Sequence, residues 1–358
     1  MKLSIVGGGY AGFNLARLLD RHVDVTLIEP RDAFVHNVAA IRATVEPKLL
    51  DRIILPYDRL LSQGKLVRAR AEGVDKAGVS LTGGERIAAD AVIVATGSHY
   101  AAPFKPQGDS ITDFRNELHA VSAQIACADR IVIVGAGAVG VELAGEIKSA
   151  YPAKTVMMVS DQHRLFPSYP ERLHAALIQK LLALGIVLHL GQAAKSLKQS
   201  QAPFDGTIEL ADGSVLSGLV IPAIGAHMAA SPAHSLPGTN PQPNGQLAVD
   251  RWLRPSSLPN IFALGDLAAT GEGMTVVSTM RQVPWLAKTL RKLAQGSRIE
   301  DLPAYKCWKT PPILLPLGPA KGASVLPFGK GWIVGDRVTS AVKGKQLFIP
   351  RYHKEFGL

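Results

Sequence analysis

The sequence of 358 residues predicts an α/β fold with two Rossmann-like units and a small C-terminal α+β region. Strand-length apolar runs alternate with helical stretches through the first two thirds of the chain, as in parallel βαβ units. A strand, a glycine-rich turn and a helix follow one another twice, at residues 3–19 and 131–149. The last fifth of the chain is basic and interrupted by proline, and it forms a third region.

The first unit begins with the apolar strand Leu3–Val6 and continues into a helical stretch, Phe13–Leu19. The turn between them reads Gly7-Gly8-Gly9-Tyr10-Ala11-Gly12. In a GxGxxG turn the first glycine permits a tight bend, the second lets the backbone approach a pyrophosphate, and the third lets the helix pack closely. The next strand, Val25–Ile28, ends in Glu29, where a carboxylate is expected to bind a ribose hydroxyl. Pro30 and Arg31 are assigned to the same dinucleotide site.

The second unit repeats this pattern, with a strand at Ile131–Val134 and a helix at Val141–Ser149. Its turn reads Gly135-Ala136-Gly137-Ala138-Val139-Gly140. The next strand, Val156–Val159, ends in Ser160-Asp161, so the ribose-binding acid is missing or displaced by one residue. His163 and Arg164 follow and could accept a 2′-phosphate, which leaves both NADH and NADPH open.

Glu142 lies two residues past the second turn, in the first turn of the helix. A carboxylate there can stabilise the helix dipole, worth a few tenths of a kcal/mol. It can also contact the nicotinamide carboxamide, which is the interpretation we favour.

Two further strand ends complete a nucleotide-binding pattern. Ala91–Val94 leads into Ala95-Thr96-Gly97, whose turn can approach a flavin nucleotide. The strand after Asn260 ends in Gly265-Asp266, and the acid would bind a ribityl hydroxyl. A helix is predicted at Met274–Leu290 and includes Val276; its N-terminus could stabilise negative charge on a flavin ring.

Three segments resemble those of a known family. They are residues 34–46 (Phe34-Val35-His36-Asn37 to Glu46), residues 140–152 (Gly140-Val141-Glu142 to Tyr151-Pro152) and residues 302–306. With the two turns, they make nearly the whole chain resemble the two-dinucleotide-binding-domain flavoproteins of the glutathione-reductase-like fold. Within that fold the chain resembles the apoptosis-inducing-factor-like group, specifically the ferroptosis-suppressor quinone oxidoreductases, with type II NADH dehydrogenases as more distant relatives.

The resemblance implies FAD at the first site, NADH or NADPH at the second, and a ubiquinone- or menaquinone-type acceptor. It places His36, Asn37 and Arg42 beside the flavin, and Lys343 and Phe348 near the flavin and the quinone path. Glu142, Lys343, Phe348 and His36 are the residues expected to take part in catalysis. The N-terminal lipid-attachment sequence of the animal members is not matched, so no stable membrane anchoring is expected from it.

The predicted domain boundaries follow from composition. Pro103–Gly108 marks a crossing from the first unit to the second. Pro and Asn cluster after the strand Leu219–Ile224 and Gly225, and we expect the chain to return to the first unit there. Gly225 is assigned to the nucleotide site. We therefore predict an FAD-binding domain at 1–108 and 229–295, an inserted NAD(P)H-binding domain at 109–228, and a basic C-terminal region at 296–358 near the flavin and acceptor site.

The two cysteines restrict the mechanism. Cys127 and Cys307 make no CxxC or metal-ligand spacing, so neither a disulfide framework nor a metal site is expected. Disulfide reductases of this fold need two thiols beside the flavin, and peroxidase relatives need one, but none occurs near residues 37–43. Cys127 is predicted to pack within a helix and Cys307 to be structural. Electrons must then leave the flavin directly, and a reducing, cytoplasmic compartment is the default.

The charge distribution leaves the partner open. The net charge is +10, and residues 281–358 hold 14 Lys and Arg against 4 Asp and Glu. This surface could be simply solvated or could attract anionic lipid at the inner face of a membrane. No apolar run reaches the roughly 18 residues needed for a spanning helix. Nucleic acid is not expected, because dense basic runs interleaved with aromatics are missing. The oligomeric state is left open.

The leading interpretation is an NAD(P)H:quinone oxidoreductase that passes a hydride from NAD(P)H to flavin and electrons to a quinone-like acceptor. The alternative enzyme is a ferredoxin or rubredoxin reductase whose basic surface binds an acidic redox protein. A nucleic-acid-binding or signalling flavoprotein is the alternative from another class.

Overall fold

The computed structural model describes residues 1–228, 231–308, 311–329 and 331–358. The strands are β1 (Lys2–Val6), β2 (Asp24–Ile28), β3 (Ala33–Val35), β4 (Ile54–Pro56), β5 (Lys65–Val67), β6 (Ala71–Asp75), β7 (Gly78–Leu81), β8 (Arg86–Ala88), β9 (Ala91–Val94), β10 (Ser98–His99), β11 (Arg130–Val134), β12 (Thr155–Ser160), β13 (Ile186–Leu190), β14 (Phe204–Glu209), β15 (Val215–Pro222), β16 (His227–Met228), β17 (Leu247–Ala248), β18 (Ile261–Ala263), β19 (Ala268–Ala269), β20 (Ile313–Leu317), β21 (Lys321–Leu326) and β22 (Trp332–Val334). The helices are α1 (Tyr10–Leu19), α2 (Asn37–Ala43), α3 (Leu50–Ile53), α4 (Ile111–Cys127), α5 (Ala138–Ala150), α6 (Glu171–Ala183), α7 (Val276–Ala294), α8 (Asp336–Thr339) and α9 (Ile349–Glu355), with a π-helical turn at Ser340–Gly344.

The first sheet has the strand order β18-β9-β1-β2-β5, and all its strands are parallel. The inner strands are apolar and almost wholly buried, as expected for a parallel sheet covered on both faces. Strand β18 comes from the later part of the chain, so the sheet is completed only after the second unit has been traversed.

The second sheet has the order β13-β12-β11-β15-β14 and is parallel except for β14, which pairs antiparallel with β15. The predicted α/β fold with two Rossmann-like sheets is thereby confirmed. The boundaries drawn at residues 108, 228 and 295 stay predictions.

The C-terminal region joins the two units. Its antiparallel sheet β20-β21-β22 contributes Leu315 and Val325 to the core that surrounds the second sheet. Its last helix, α9, contributes Tyr352 to the core of the first sheet, and Phe356 follows that helix into the same core. The proline-interrupted stretch forms strand β20 at Ile313–Leu317 and a turn at 318–320.

Two sequence expectations change in the structure. Cys127 was expected to pack inside a helix, and this is wrong, because it is the last residue of α4 and is exposed. Cys307 is exposed as well. The helix predicted at residues 274–290 begins at Val276, where the side chain of Thr275 caps it by accepting a hydrogen bond from the Ser278 N–H. Among the described residues, no helix is long and apolar enough to cross a membrane.

Candidate functional site

A cavity of about 1550 Å³ opens at the carboxyl ends of the central strands of both sheets. Its lining includes Gly7 after β1, Ala95 after β9, Gly135 after β11 and Ala223 after β15. Ligands of open α/β sheets bind at this end of the strands. Pockets for one drug-sized ligand are about 300–1,000 Å³, so this cavity is large enough for more than one such ligand.

The first and third glycines of each turn are required by packing. Gly7 and Gly135 have φ angles of 103° and 116°, which favour glycine. A β-carbon on Gly12 would lie 1.8 Å from Gly7 O, and one on Gly140 would lie 2.0 Å from Gly135 O. The two turns therefore have the same construction, with the helix lying directly against the bend.

The middle glycines, Gly9 and Gly137, differ from the others because no protein atom lies within 4 Å of a β-carbon built on either residue. Both line the cavity, and both immediately precede a helix, α1 or α5, without a side-chain cap. Free N–H groups at a helix N-terminus attract anions, and the missing side chain leaves room for them. Both turns thus fit the phosphates of a dinucleotide.

Glu29 follows β2 at the end of the first site. It is buried, and it accepts hydrogen bonds from Gly8 N at 2.6 Å and from Arg31 Nε at 2.7 Å. Burial opposes ionisation, but the Arg31 guanidinium and the N–H groups outweigh it and hold the pKa of Glu29 below its usual value. A charged carboxylate therefore lies at the position expected for a ribose contact. Pro30 and Arg31 also line the cavity.

The predicted flavin-side residues converge on the same cavity. Its lining includes Asn37, Ala95, Thr96, Gly97, Gly265, Asp266 and Val276. Asn37 Oδ1 is buried and has no hydrogen-bond partner among the described residues. An unpaired buried acceptor costs about 1–3 kcal/mol, so a donor from a bound ligand would stabilise it. Together with the first glycine turn, this orphaned oxygen fits FAD.

Glu142 and Lys343 form an ion pair in the cavity wall. Lys343 Nζ donates to Glu142 Oε1 at 2.6 Å and to Leu314 O at 3.1 Å. Burial raises the pKa of Glu142, and the Lys343 ammonium opposes that shift. Gly145, about one turn later on α5, permits this arrangement, because a β-carbon there would lie 2.4 Å from Leu317 Cα of β20. The missing side chain lets the C-terminal sheet pack close to α5.

Phe348 lines the cavity from a left-handed backbone conformation, with φ of 60°, and Leu347 before it has φ of 49°. Two consecutive non-glycine residues in this region are uncommon and store strain of about 1–3 kcal/mol each. Such strain persists where the surrounding structure holds the side chain in a required position.

His36 and Arg42 lie behind the wall of the cavity rather than in its lining. His36 Nδ1 lies 2.7 Å from the Tyr10 hydroxyl, and Nε2 lies 2.5 Å from Leu347 O. A carbonyl only accepts, so Nε2 carries the proton and Nδ1 accepts from Tyr10. Burial lowers the pKa of His36 to about 4. His36 is therefore neutral and ties the chain before α2 to the C-terminal region.

Arg42 forms a buried, bidentate ion pair with Glu146 of α5, at 2.9 Å from Nε and 2.8 Å from the terminal nitrogen. It also donates to Lys345 O at 3.3 Å. The residue expected beside the flavin thus joins α2, α5 and the C-terminal region.

The second site brings together most of its predicted residues. The cavity lining includes Gly135, Gly137, Ala138, Val139, Ser160, Arg164 and Gly225. Gly140 lies against the bend behind the wall, as Gly12 does in the first unit, whereas Gly8 lies outside the lining beside Tyr57 and Glu29. His163 packs against Gly191, where a β-carbon would lie 2.3 Å from His163 Nδ1, and it is not part of the lining.

Several residues of the lining were not predicted from the sequence, among them Ser98, Lys105, Trp308 and Tyr352. Lys105 Nζ lies 3.4 Å from Asp266 Oδ2, and Ser98 Oγ donates to the same oxygen at 2.6 Å. Lys105 lay in a segment interpreted only as a linker. No local sequence pattern indicated that Trp308 or Tyr352 would line the cavity. The ring of Trp308 lies 4.6 Å from the Arg281 guanidinium. No cluster of His, Cys, Asp or Glu suited to a metal ion occurs among the described residues.

Two nucleotide cradles at one cavity, with Cys127 and Cys307 both outside its lining, define a two-dinucleotide oxidoreductase without a thiol relay. Residues 1–284 match the family described as pyridine nucleotide-disulphide oxidoreductase, and the chain belongs to that family. It is an enzyme whose cofactors are FAD and NAD(P)H.

Similar proteins cover nearly the whole chain. Apoptosis-inducing factor homolog A of Dictyostelium discoideum is 28% identical, over 99% of this chain and 91% of its own. Ferroptosis suppressor protein 1 of Homo sapiens is 27% identical, over 96% of this chain and 93% of its own. The solved sulfide:quinone oxidoreductase of Aquifex aeolicus has a TM-score of 0.76 at 14% identity, covering 99% and 91%. The ferredoxin reductase of Rhodopseudomonas palustris has a TM-score of 0.61 at 20% identity, covering 81% and 76%. At these identities the solved structures show the fold alone.

Proposed function

We propose that the protein passes electrons from NAD(P)H through FAD to a quinone-type acceptor. The observation that carries this proposal is the single cavity that reaches from both glycine turns to an apolar wall with Leu314 and Phe348. Among the residues that the structure describes, no thiol lines this cavity, so electrons pass directly to an acceptor that enters it. The name of the similar Aquifex aeolicus protein includes a quinone, which supports this class of acceptor.

In this proposal the first turn, Glu29, Asn37, Thr96 and Asp266 hold FAD, and the second turn with Ser160 and Arg164 holds NAD(P)H. A bound FAD would supply the two-electron chemistry that links the nicotinamide to the acceptor. The protein supplies the binding geometry, and the apolar wall excludes water from the acceptor site.

The Glu142–Lys343 pair supplies proton chemistry in that wall. Reduction of a quinone to a quinol takes up two electrons and two protons. The hydride of NAD(P)H brings the electron pair and one proton, so one further proton must be supplied. The Lys343 ammonium has three N–H donors, of which Glu142 and Leu314 O accept two, so one remains for a cavity ligand. Burial raises the pKa of Glu142, which can hold a proton on the carboxylate oxygen that Lys343 does not contact. We assign the pair to orienting the bound ring and delivering a proton.

An anaerobic titration tests this function. NADH or NADPH should bleach the visible absorption of the purified flavoprotein, and a short-chain ubiquinone should restore it. Steady-state oxidation of NAD(P)H should be rapid with that quinone alone. Turnover that requires an added ferredoxin or rubredoxin would instead favour the carrier-protein reductase, which the basic C-terminal region also suits.

Peripheral contact with a membrane is part of the same proposal. Phe328 and Trp332, at the end of the β21–β22 hairpin, are 60% and 68% exposed, with ring centroids 6.4 Å apart. Val325 pairs with Ile313 on one side and Ile333 on the other, and Ile313 lines the cavity. The exposed hairpin end therefore lies beside the cavity. Exposed aromatics in a basic region suit the surface of an anionic bilayer, the source of a lipid-soluble quinone.

Vesicle cosedimentation tests this contact. We expect the protein to bind vesicles containing an anionic lipid more strongly than neutral ones. The double variant Phe328→Ser, Trp332→Ser should bind less and keep its activity with a water-soluble quinone. Equal recovery with and without vesicles would contradict membrane contact. In this proposal the protein binds the cytoplasmic face of the membrane.

A further inference from the structure

The two glycine turns contain the same backbone hydrogen bond to the end of the neighbouring strand, so their residues can be matched one to one. Gly7 N donates to Ile28 O at 2.8 Å, and Gly135 N donates to Val159 O at 2.8 Å. The next residue in the first unit is Glu29, and the next in the second unit is Ser160. These two residues therefore occupy equivalent positions, where the ribose of a bound adenosine is recognised.

The two positions differ in chemistry. Glu29 is an ionised, buried carboxylate, which suits a ribose 2′-hydroxyl and would repel a 2′-phosphate. Ser160 is a short hydroxyl whose Oγ accepts from Gln162 N at 3.1 Å. The second site thus has no negative charge at the position where the first site carries one.

An arginine lies in the wall of the second site. Arg164 lines the cavity, and its terminal nitrogen pairs with Glu171 at 2.7 Å. Its Nε is buried and has no partner among the described residues. A phosphate oxygen would satisfy that N–H, with the charge-assisted geometry that guanidinium groups offer to phosphate. Glu171 is 65% exposed, so solvent screens its competition for Arg164.

We propose that the second site binds the 2′-phosphorylated nucleotide, NADPH, in preference to NADH, with Arg164 and Ser160 as the residues that determine this preference. The inference rests on the proposed function only in taking NAD(P)H as the electron donor. The competing acid is Asp161, which also lines the cavity. It corresponds in position to Pro30, one residue past the ribose position, and it is exposed, so solvent screens its charge.

Calorimetric titration of the FAD-loaded protein with oxidised nucleotides tests the preference without turnover. NADP⁺ should bind at least about tenfold more tightly than NAD⁺, as one charge-assisted contact provides. The fragment 2′,5′-ADP should likewise bind more tightly than 5′-AMP. The difference should shrink as ionic strength rises.

Single substitutions test which residues determine the preference for NADPH. Arg164→Gln should weaken NADP⁺ binding much more than NAD⁺ binding and so remove most of the NADP⁺ advantage, and Ser160→Glu should reverse the preference. Arg172→Gln is the matched control, because Arg172 is exposed and lies outside the cavity lining. Retained flavin absorbance shows that each variant is folded.

Three results would overturn the proposal: NAD⁺ binding as tightly as NADP⁺, an equal loss of both in Arg164→Gln, or a selective loss of NAD⁺ in Asp161→Asn. The outcome is separate from the proposed function. Tight NADP⁺ binding without quinone reduction would support the nucleotide preference and contradict the quinone acceptor. Quinone reduction that NADH drives as well as NADPH would support the quinone acceptor and contradict the preference.

Discussion

Lys343 Nζ lies 2.6 Å from Glu142 Oε1, although 201 residues separate them in the chain. The pair lies where α5 of the second unit meets the C-terminal region, in the wall of the cavity. It places a cation and a carboxylate of raised pKa between the nucleotide turn and the apolar wall. The proposed proton chemistry therefore depends on how the C-terminal region packs.

The first prediction concerns Glu142. Glu142→Ala should raise the KM for NAD(P)H and lower kcat with quinone while FAD stays bound, because the nicotinamide side of the cavity loses its carboxylate and Lys343 loses its partner. Steady-state kinetics and flavin content measure this. Glu72→Ala, at an exposed position on β6, is the control. Unchanged kinetics would remove Glu142 from the site.

The second prediction separates the roles of the glycines. Gly9→Val should prevent FAD retention, because its side chain would occupy the space left for the phosphates, while the apoprotein stays folded. Gly12→Ala should destabilise the fold itself, since its β-carbon would lie 1.8 Å from Gly7 O. Flavin absorbance after gel filtration and the thermal midpoint of the apoproteins distinguish the two. A Gly9→Val protein that retains yellow colour contradicts the prediction.

The third prediction is a pH dependence of stability. The pKa of His36 is about 4 in the folded protein, against an ordinary value near 6.5. Between these values the unfolded chain binds the additional proton, so the free energy of unfolding should fall as the pH falls from 7 to 4. For this group the loss is about 3 kcal/mol.

Denaturant titrations at several pH values measure this contribution. His36→Gln should show a flatter pH profile over the same range, although its stability at pH 7 will also change. His119→Gln, at an exposed position on α4, should keep the profile of the parent protein. Identical slopes for the parent and His36→Gln would show that another group is responsible.

The fourth prediction concerns the buried pair Arg42–Glu146. Arg42→Met should lower the free energy of unfolding by about 3–5 kcal/mol, because it leaves a buried carboxylate without a partner. The double variant Arg42→Met, Glu146→Leu should recover most of that loss, because neither charge remains. The exposed pair Arg70–Asp109 offers a comparison, since Arg70→Met should change stability by at most about 1 kcal/mol. Chemical denaturation measures all three, and equal losses in the single and double variants would argue against the pair.

Local chemistry was sufficient to predict the two nucleotide units. The alternation of apolar runs, the glycine spacing and the acid after β2 depend on residues close together in the chain, and they predicted the α/β fold and its two cradles correctly. The resemblance to the flavoprotein family was confirmed by the family match. The assignment of individual residues to FAD, NAD(P)H and catalysis stays a prediction, and so do the domain boundaries.

The sequence by itself determined the duplicated turns, because a tight bend and a close phosphate approach require glycine at fixed spacing whatever surrounds them. Only the tertiary structure decided that Lys343 meets Glu142, that His36 is neutral behind the cavity wall, that Arg42 pairs with Glu146, and that Cys127 is exposed. These relationships join segments distant in the chain. They arise from the packing of the C-terminal region and of α2 against α5, and such packing leaves no periodic or local signal in a single sequence.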